Sequence, residues 1–206
     1  MAAGGLTRAQ ALRRGGVALL AAGTGIGALA ASAQATPPDD ALGLLPANDL
    51  AYARLFAALE LLLADFYTHA VAAGHLGRRA ADLARLTLAN EQAHYTYLAG
   101  VITTAAATPI TAADINFSYP TGTFYTAASL VKFAATLEEL ALGAYLGAAG
   151  AIATPGLQGG LAQIAANEAQ HLTVIARSAG GAGFQDAFPA PMSMEDASNA
   201  LDAYTS

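Results

Sequence analysis

No cysteine occurs among the 206 residues. Disulfides, thiolate metal sites and cysteine nucleophiles are therefore excluded, as is any rubredoxin-type electron-transfer appendage. Charge is scarce too: Asp, Glu, Lys and Arg make up only 12% of the chain. No basic stripe exists along which a nucleic acid could lie, so no nucleic-acid partner is expected. What fills the space is Ala and Leu, a composition suited to closely packed helices. The length fits one ordinary domain plus a processed leader.

Against this bland background one pattern occurs twice. Glu60 is followed by Glu91-Gln92-Ala93-His94, and Glu138 by Glu168-Ala169-Gln170-His171. Each copy is a lone Glu and, about thirty residues later, a Glu-x-x-His. On a helix, positions i and i+3 share a face one turn apart, so each Glu-x-x-His aims a carboxylate and an imidazole at one point. With six Glu and four His in the chain, chance would supply about 0.1 such motifs, and there are two. Four helices presenting these groups together form the two-metal carboxylate site of ferritin-like bundles.

The N-terminus reads as an export signal over residues 1–35. Arg8, Arg13 and Arg14 precede an uncharged Gly/Ala-rich stretch from Gly15 to Ala33, and Ala33-Gln34-Ala35 has the small-x-small form of a cleavage site. The Arg13-Arg14 pair resembles a twin-arginine signal, with Leu12 where Ser or Thr is usual and no Phe-Leu after the pair. A general secretory signal or an uncleaved anchor stays open. Export machinery at the membrane is then an expected partner, and the mature chain belongs in the periplasm, cell envelope or medium. Cleavage near Ala35 would leave six basic against fifteen acidic residues, a formal charge of −9.

After a linker over 36–47, hydrophobic spacing and breakers predict four long helices within 48–180. The first runs from an Asn48 or Asp49 cap to Gly74, and the second from about Arg79 to Ala107. A loop over 108–125 follows, then a third helix from Thr126 to about Ile152. The fourth begins after Thr154-Pro155 and stops at Ala179-Gly180-Gly181. In the tail, 181–206, Ser193-x-x-Asp196 reads as a capping box for a short fifth helix. Glu60 lies about 21 Å of helix before the first turn and Glu91 about 18 Å after it, so both reach one level. Glu138 and Glu168 repeat that arithmetic. The 18-residue loop must travel roughly 40 Å and can span about 60 Å. The expected fold is all-α, a four-helix bundle with one long crossover between helices two and three.

Glu60 shares its face with Phe56, Leu63 and Tyr67; Glu138 with Ala134, Leu142 and Tyr145. These faces should turn inward. A bare carboxylate there costs several kcal/mol and requires a metal, a partner or a proton. A metal-free network of Glu and His is the plain alternative, but no Arg or Lys occupies those faces. Glu139 competes with Glu138. Glu138 is favoured because Glu60 and Glu138 each precede a Tyr by seven residues, Tyr67 and Tyr145, which makes the halves a pseudo-twofold repeat. Those tyrosines are either core residues closing the bundle or donors behind the ligands. His69 and His75 lie outside the pattern. Phe117, Tyr119, Phe124 and Tyr125 are expected to pin the crossover or gate access.

Four stretches carry a family resemblance: LFAALELLLADFYTHA (55–70), NEQAHYTYLAGVI (90–102), LEELALGAYLGAA (137–149) and IAANEAQHLTVIA (164–176). They resemble exported bacterial ferritin-like proteins related to desiccation-related proteins. That resemblance implies metal ligands at Glu60, Glu91, His94, Glu138, Glu168 and His171. Glu139 stands where family members often carry Asp. Two divalent ions, iron or manganese, are the expected cofactors, since affinity for oxygen and nitrogen donors does not choose between them. Oxygen or peroxide is the expected co-reactant, in ferroxidase, peroxide-consuming or manganese-catalase chemistry. The competing expectation is a non-catalytic envelope stress protein that sequesters metal or uses it structurally. A homo-oligomer, including a storage cage, is compatible with either.

Overall fold

The computed structural model describes residues 45–181 and 186–205. The expected signal over 1–35 and nearly all of the 36–47 linker lie outside the described residues. Within them are five α-helices: α1 Ala47–Ala72, α2 Arg78–Thr104, α3 Ala127–Ala148, α4 Pro155–Ser178 and α5 Met194–Asp202. Each long helix begins or ends within a few residues of its sequence punctuation. The result is the expected all-α bundle.

α1 and α2 form one hairpin, α3 and α4 the other. Gly74, at φ 72°, turns the chain just past α1 in a left-handed conformation that costs glycine little. α4 closes the same way: Gly180 sits at φ 84° and the Gly181 N–H donates to the Ala176 carbonyl at 2.8 Å. The α1–α3 register follows from side-chain pairs: Tyr145 donates to Glu60, and Tyr67 to Glu138. Residues advancing along α1 therefore meet residues retreating along α3, so these two helices run antiparallel. α1 is long and apolar enough to cross a membrane by length and composition, but 61% of its most apolar window is buried. It is the central core helix, with Phe56, Leu59, Leu62, Leu63 and Phe66 enclosed.

The crossover occupies 105–126 and lies along the bundle. Tyr95 donates to the Ile110 carbonyl at 2.8 Å and Tyr119 to the Asp65 carboxylate at 2.7 Å. Tyr119 and Phe124 pack edge to face with each other, and both lie against Phe66. Phe117 pairs with Thr205, and the Ser118 N–H donates to the Tyr204 carbonyl at 2.8 Å. The C-terminal segment thus straps the crossover down. Met192 lies over Gly143 and Gly147 of α3, where a side chain at position 147 would strike its carbonyl. Tyr125 departs from expectation: it is 69% exposed and pins nothing.

Two capping assignments need correction. Neither Asn48 nor Asp49 caps α1, because the helix starts at Ala47 behind an extended Pro46. Both side chains then lie inside the first turn and reach the other hairpin. Asn48 donates to the Ala151 carbonyl; buried Asp49 accepts from the Ala153 and Thr154 N–H groups at 3.1 and 2.8 Å. Asp49 thus satisfies free donors at the start of α4. At α5, Ser193 accepts from the Asp196 N–H as expected, but the Asp196 carboxylate takes the Ser193 hydroxyl, not its backbone N–H.

Candidate metal centre

Glu60 comes from α1, Glu91 and His94 from α2, Glu138 from α3, Glu168 and His171 from α4. All four glutamates are fully buried, His171 is buried, and His94 retains 11% side-chain exposure. The i, i+3 spacing puts each imidazole beside its own helix's carboxylate, and the two hairpins then bring the remaining carboxylates across. His94 Nδ1 lies 3.3 Å from Glu60, 3.2 Å from Glu91 and 3.0 Å from Glu168. His171 Nδ1 lies 3.0 Å from Glu91, 3.4 Å from Glu138 and 3.4 Å from Glu168.

Two overlapping ligand sets result: Glu60, Glu91, His94 and Glu168, and Glu91, Glu138, Glu168 and His171. Each could hold a metal ion, and they share two carboxylates. Glu91 turns Oε2 to His94 and Oε1 to His171; Glu168 turns Oε1 to His94 and Oε2 to His171. Glu60 and Glu138 each serve one set. Their outer oxygens accept from Tyr145 and Tyr67, which leaves Oε2 of each turned inward. Glu139, one residue along, is exposed and joins neither set. His69 stays apart, 3.7 Å from Asp65 and against the Tyr119 ring.

The donor set fits divalent cations. Glu91 Oε1, Glu138 Oε2, both Glu168 oxygens and His171 Nδ1 are buried without a hydrogen-bond partner, although they crowd within 3.0–3.4 Å of the opposing groups. Closeness without hydrogen-bond alignment is expected of atoms converging on a shared cation, and buried polar atoms otherwise find partners. Four carboxylates and neutral imidazoles carry four negative charges, and no buried Lys or Arg is present among the described residues. Two divalent cations would balance them; without cations, protons must.

The electrostatics of the bare protein follow that rule. Burial, reinforced by neighbouring carboxylates, pushes Glu60 and Glu138 well above the ordinary carboxylate value. Burial also opposes charging His94, but Glu168, Glu60 and Glu91 around it hold the imidazolium and push its pKa up to about 12. His171 is raised in the same way by Glu138, Glu168 and Glu91. Glu168, despite its burial, is pulled down to about 2 by the two imidazoles it faces. Tyr67 and Tyr145 are pushed up by burial and by their carboxylate partners, so both phenols stay protonated donors.

The motifs alone did not single out Asn90, whose amide lies 3.0 Å from His171 Nε2. The contacting atom is the amide nitrogen; a ring that ligates through Nδ1 carries its proton on Nε2, and the amide turned over would offer its oxygen to that N–H and hold the ring from behind. A signal was present: Asn precedes the Glu of both motifs, as Asn90-Glu91 and Asn167-Glu168.

An antiparallel bundle whose four helices turn Glu, Glu-x-x-His, Glu and Glu-x-x-His inward defines the carboxylate-bundle class of metal proteins. The family model described as a ferritin-like domain matches residues 48–181, and the chain belongs to that family. No curated protein matches the chain.

Proposed function

We propose that this protein holds two divalent ions, iron or manganese. Glu60, Glu91, His94 and Glu168 would hold one ion and Glu91, Glu138, Glu168 and His171 the other, and the pair would serve redox chemistry with oxygen or peroxide. The observation that carries this reading is the sharing of Glu91 and Glu168 between two otherwise separate ligand sets. A bound pair would supply an electron source or sink and a place for oxygen or peroxide to react. The chain's own residues would hold it: at the Glu60 end, buried Phe56 stacks on Tyr145 at 4.1 Å. Tyr145 and Tyr67 tether the outer oxygens of the terminal carboxylates. We further propose export through residues 1–35, with folding before transport letting the cytoplasm choose the metal.

The first test is elemental analysis of protein from its native compartment. Two ions of iron or manganese per chain support the reading; no uptake, even on refolding with those metals, overturns it. Oxygen consumption on anaerobic mixing with ferrous iron and then air tests the redox half. Tight stoichiometric metal without turnover would favour sequestration or a structural role. N-terminal sequencing tests export, with Thr36 as the expected first residue.

A further inference from the structure

Beside the metal centre lies a half-open cavity of about 170 Å³. Phe66, Leu83, Leu130 and Ile175 form much of its wall, and Tyr67, Asn90 and His171 meet it where it reaches the centre. No Asp, Glu, Lys or Arg lines it. The cavity touches only one half of the centre: Glu60, His94 and Tyr145 are absent from its lining. Leu86 and Val174 line it too, at 51% and 38% exposure, two of the four large apolar side chains left open among the described residues.

We infer that this cavity binds a small neutral organic molecule with an apolar body of about six to eight heavy atoms and an uncharged polar head, held against the Tyr67–Asn90–His171 wall. Three observations converge on that class. A cavity of about 150 Å³ holds a benzene-sized body, which sets the size. An unlined charge would lose its hydration with nothing to replace it, which excludes carboxylates, ammonium ions and hydrated metal. The Asn90 amide spends one of its hydrogen-bonding positions on His171 and has others left, and Asn167 adds a second amide to the lining, so a hydroxyl or carbonyl head finds partners there. The role of the cavity as a substrate site rests on the proposed metal reading; the binding itself does not.

The test uses the full chain loaded with manganese or iron and three probes with one chain length: 1-hexanol, hexanoate and hexylammonium. Binding is followed by methyl NMR of the manganese-free and zinc-loaded protein, where Leu83, Leu86 and Val174 report, and by calorimetry of the native metal form. Saturable 1-hexanol binding with shifts at those three residues is expected, with the charged homologues weaker by at least about tenfold. Ala80→Phe, in the partly exposed first turn of α2, should fill the cavity and weaken 1-hexanol about tenfold or more while metal content stays unchanged. Equal binding of hexanoate, no saturable binding, or a concentration-dependent dimer that buries Leu86 and Val174 would overturn the inference. Metal uptake without hexanol binding sinks this inference alone, whereas hexanol binding without metal uptake sinks the proposed function alone.

Discussion

The two halves of the centre are built from the same motif yet stand in different surroundings. Around His94 and around His171, three carboxylates gather at matching distances, and a tyrosine from the facing helix tethers each terminal Glu. Behind the rings the match ends. Asn90 braces His171, but no bond from Asn167 braces His94 among the described residues. The cavity that meets His171 and Tyr67 has a larger counterpart of about 530 Å³ that meets Tyr145 but neither Glu60 nor His94, and Phe56 stacks on Tyr145. The ligands obey the repeat; their environment does not. Two ions in such a centre would be inequivalent: the His171 half is met by Asn90 and by the 170 Å³ cavity, whereas His94 keeps the greater side-chain exposure, 11% against 6%.

The strongest way to break this comparison is at the shared carboxylates. Glu168→Ala should remove both ions, whereas Glu138→Ala should empty or loosen chiefly one; exposed Glu139→Ala should remove neither and change stability by under about 0.5 kcal/mol. Metal-to-chain ratio by elemental analysis ranks the three. Equal effects of Glu138→Ala and Glu139→Ala would show that the tyrosine-based pairing of the halves misassigns the ligand.

Next in size are the donors behind the ligands. Tyr67→Phe and Tyr145→Phe should each weaken metal affinity about 10–100-fold, by similar amounts if the halves match at this level. Asn90→Ala should cost about tenfold in competition with a chelator, and Asn167→Ala little. Equal losses at the two asparagines would restore the symmetry that the His171 bond breaks.

A smaller effect joins the two hairpins instead of dividing them. Burial raises the Asp49 pKa, but hydrogen bonds from Thr154 and Ala153 outweigh it, so the net shift is downward from 3.8. A depressed folded-state value means stability that is complete above the unfolded value and lost as pH falls through the folded one. Asp49→Ala should therefore cost about 1–2 kcal/mol at pH 7. In chemical denaturation the gap from the wild type should hold down to about pH 4 and shrink below it. A constant gap through pH 3 would place the loss in packing, not in the charged hydrogen bonds.

Helix ends offer the smallest contrast. α2 and α4 close with the same backbone pattern, but Ala106 takes φ 56° where α4 uses Gly180. The Ala107 N–H still donates to the Ile102 carbonyl at 3.0 Å. Ala106→Gly should raise the melting free energy by up to about 1 kcal/mol, since it relieves a left-handed alanine, and leave metal content untouched.

Much of this was legible in the chain itself. Glu-x-x-His at i, i+3 fixes the relative direction of two donors on one helix, because helical geometry is local. The Glu-to-Tyr spacing of seven identified the third-helix glutamate that turns inward, because two turns return a side chain to one face. Gly74, Pro155 and Gly180 marked helix ends through their own backbone preferences. What the chain did not reveal depends on which atoms meet across helices. Nothing local says that Tyr67 donates to Glu138 instead of simply closing the core, or that Asp49 caps α4 and not its own helix. Nothing in Asn90 and Asn167, each directly before the Glu of its motif, predicts that only the former reaches an imidazole. Those outcomes were decided by the antiparallel register of α1 against α3 and the side-by-side packing of α2 and α4. Hydrogen bonds and cavities are set at ångström distances between residues far apart in the chain, whereas sequence periodicity fixes only which face each residue occupies.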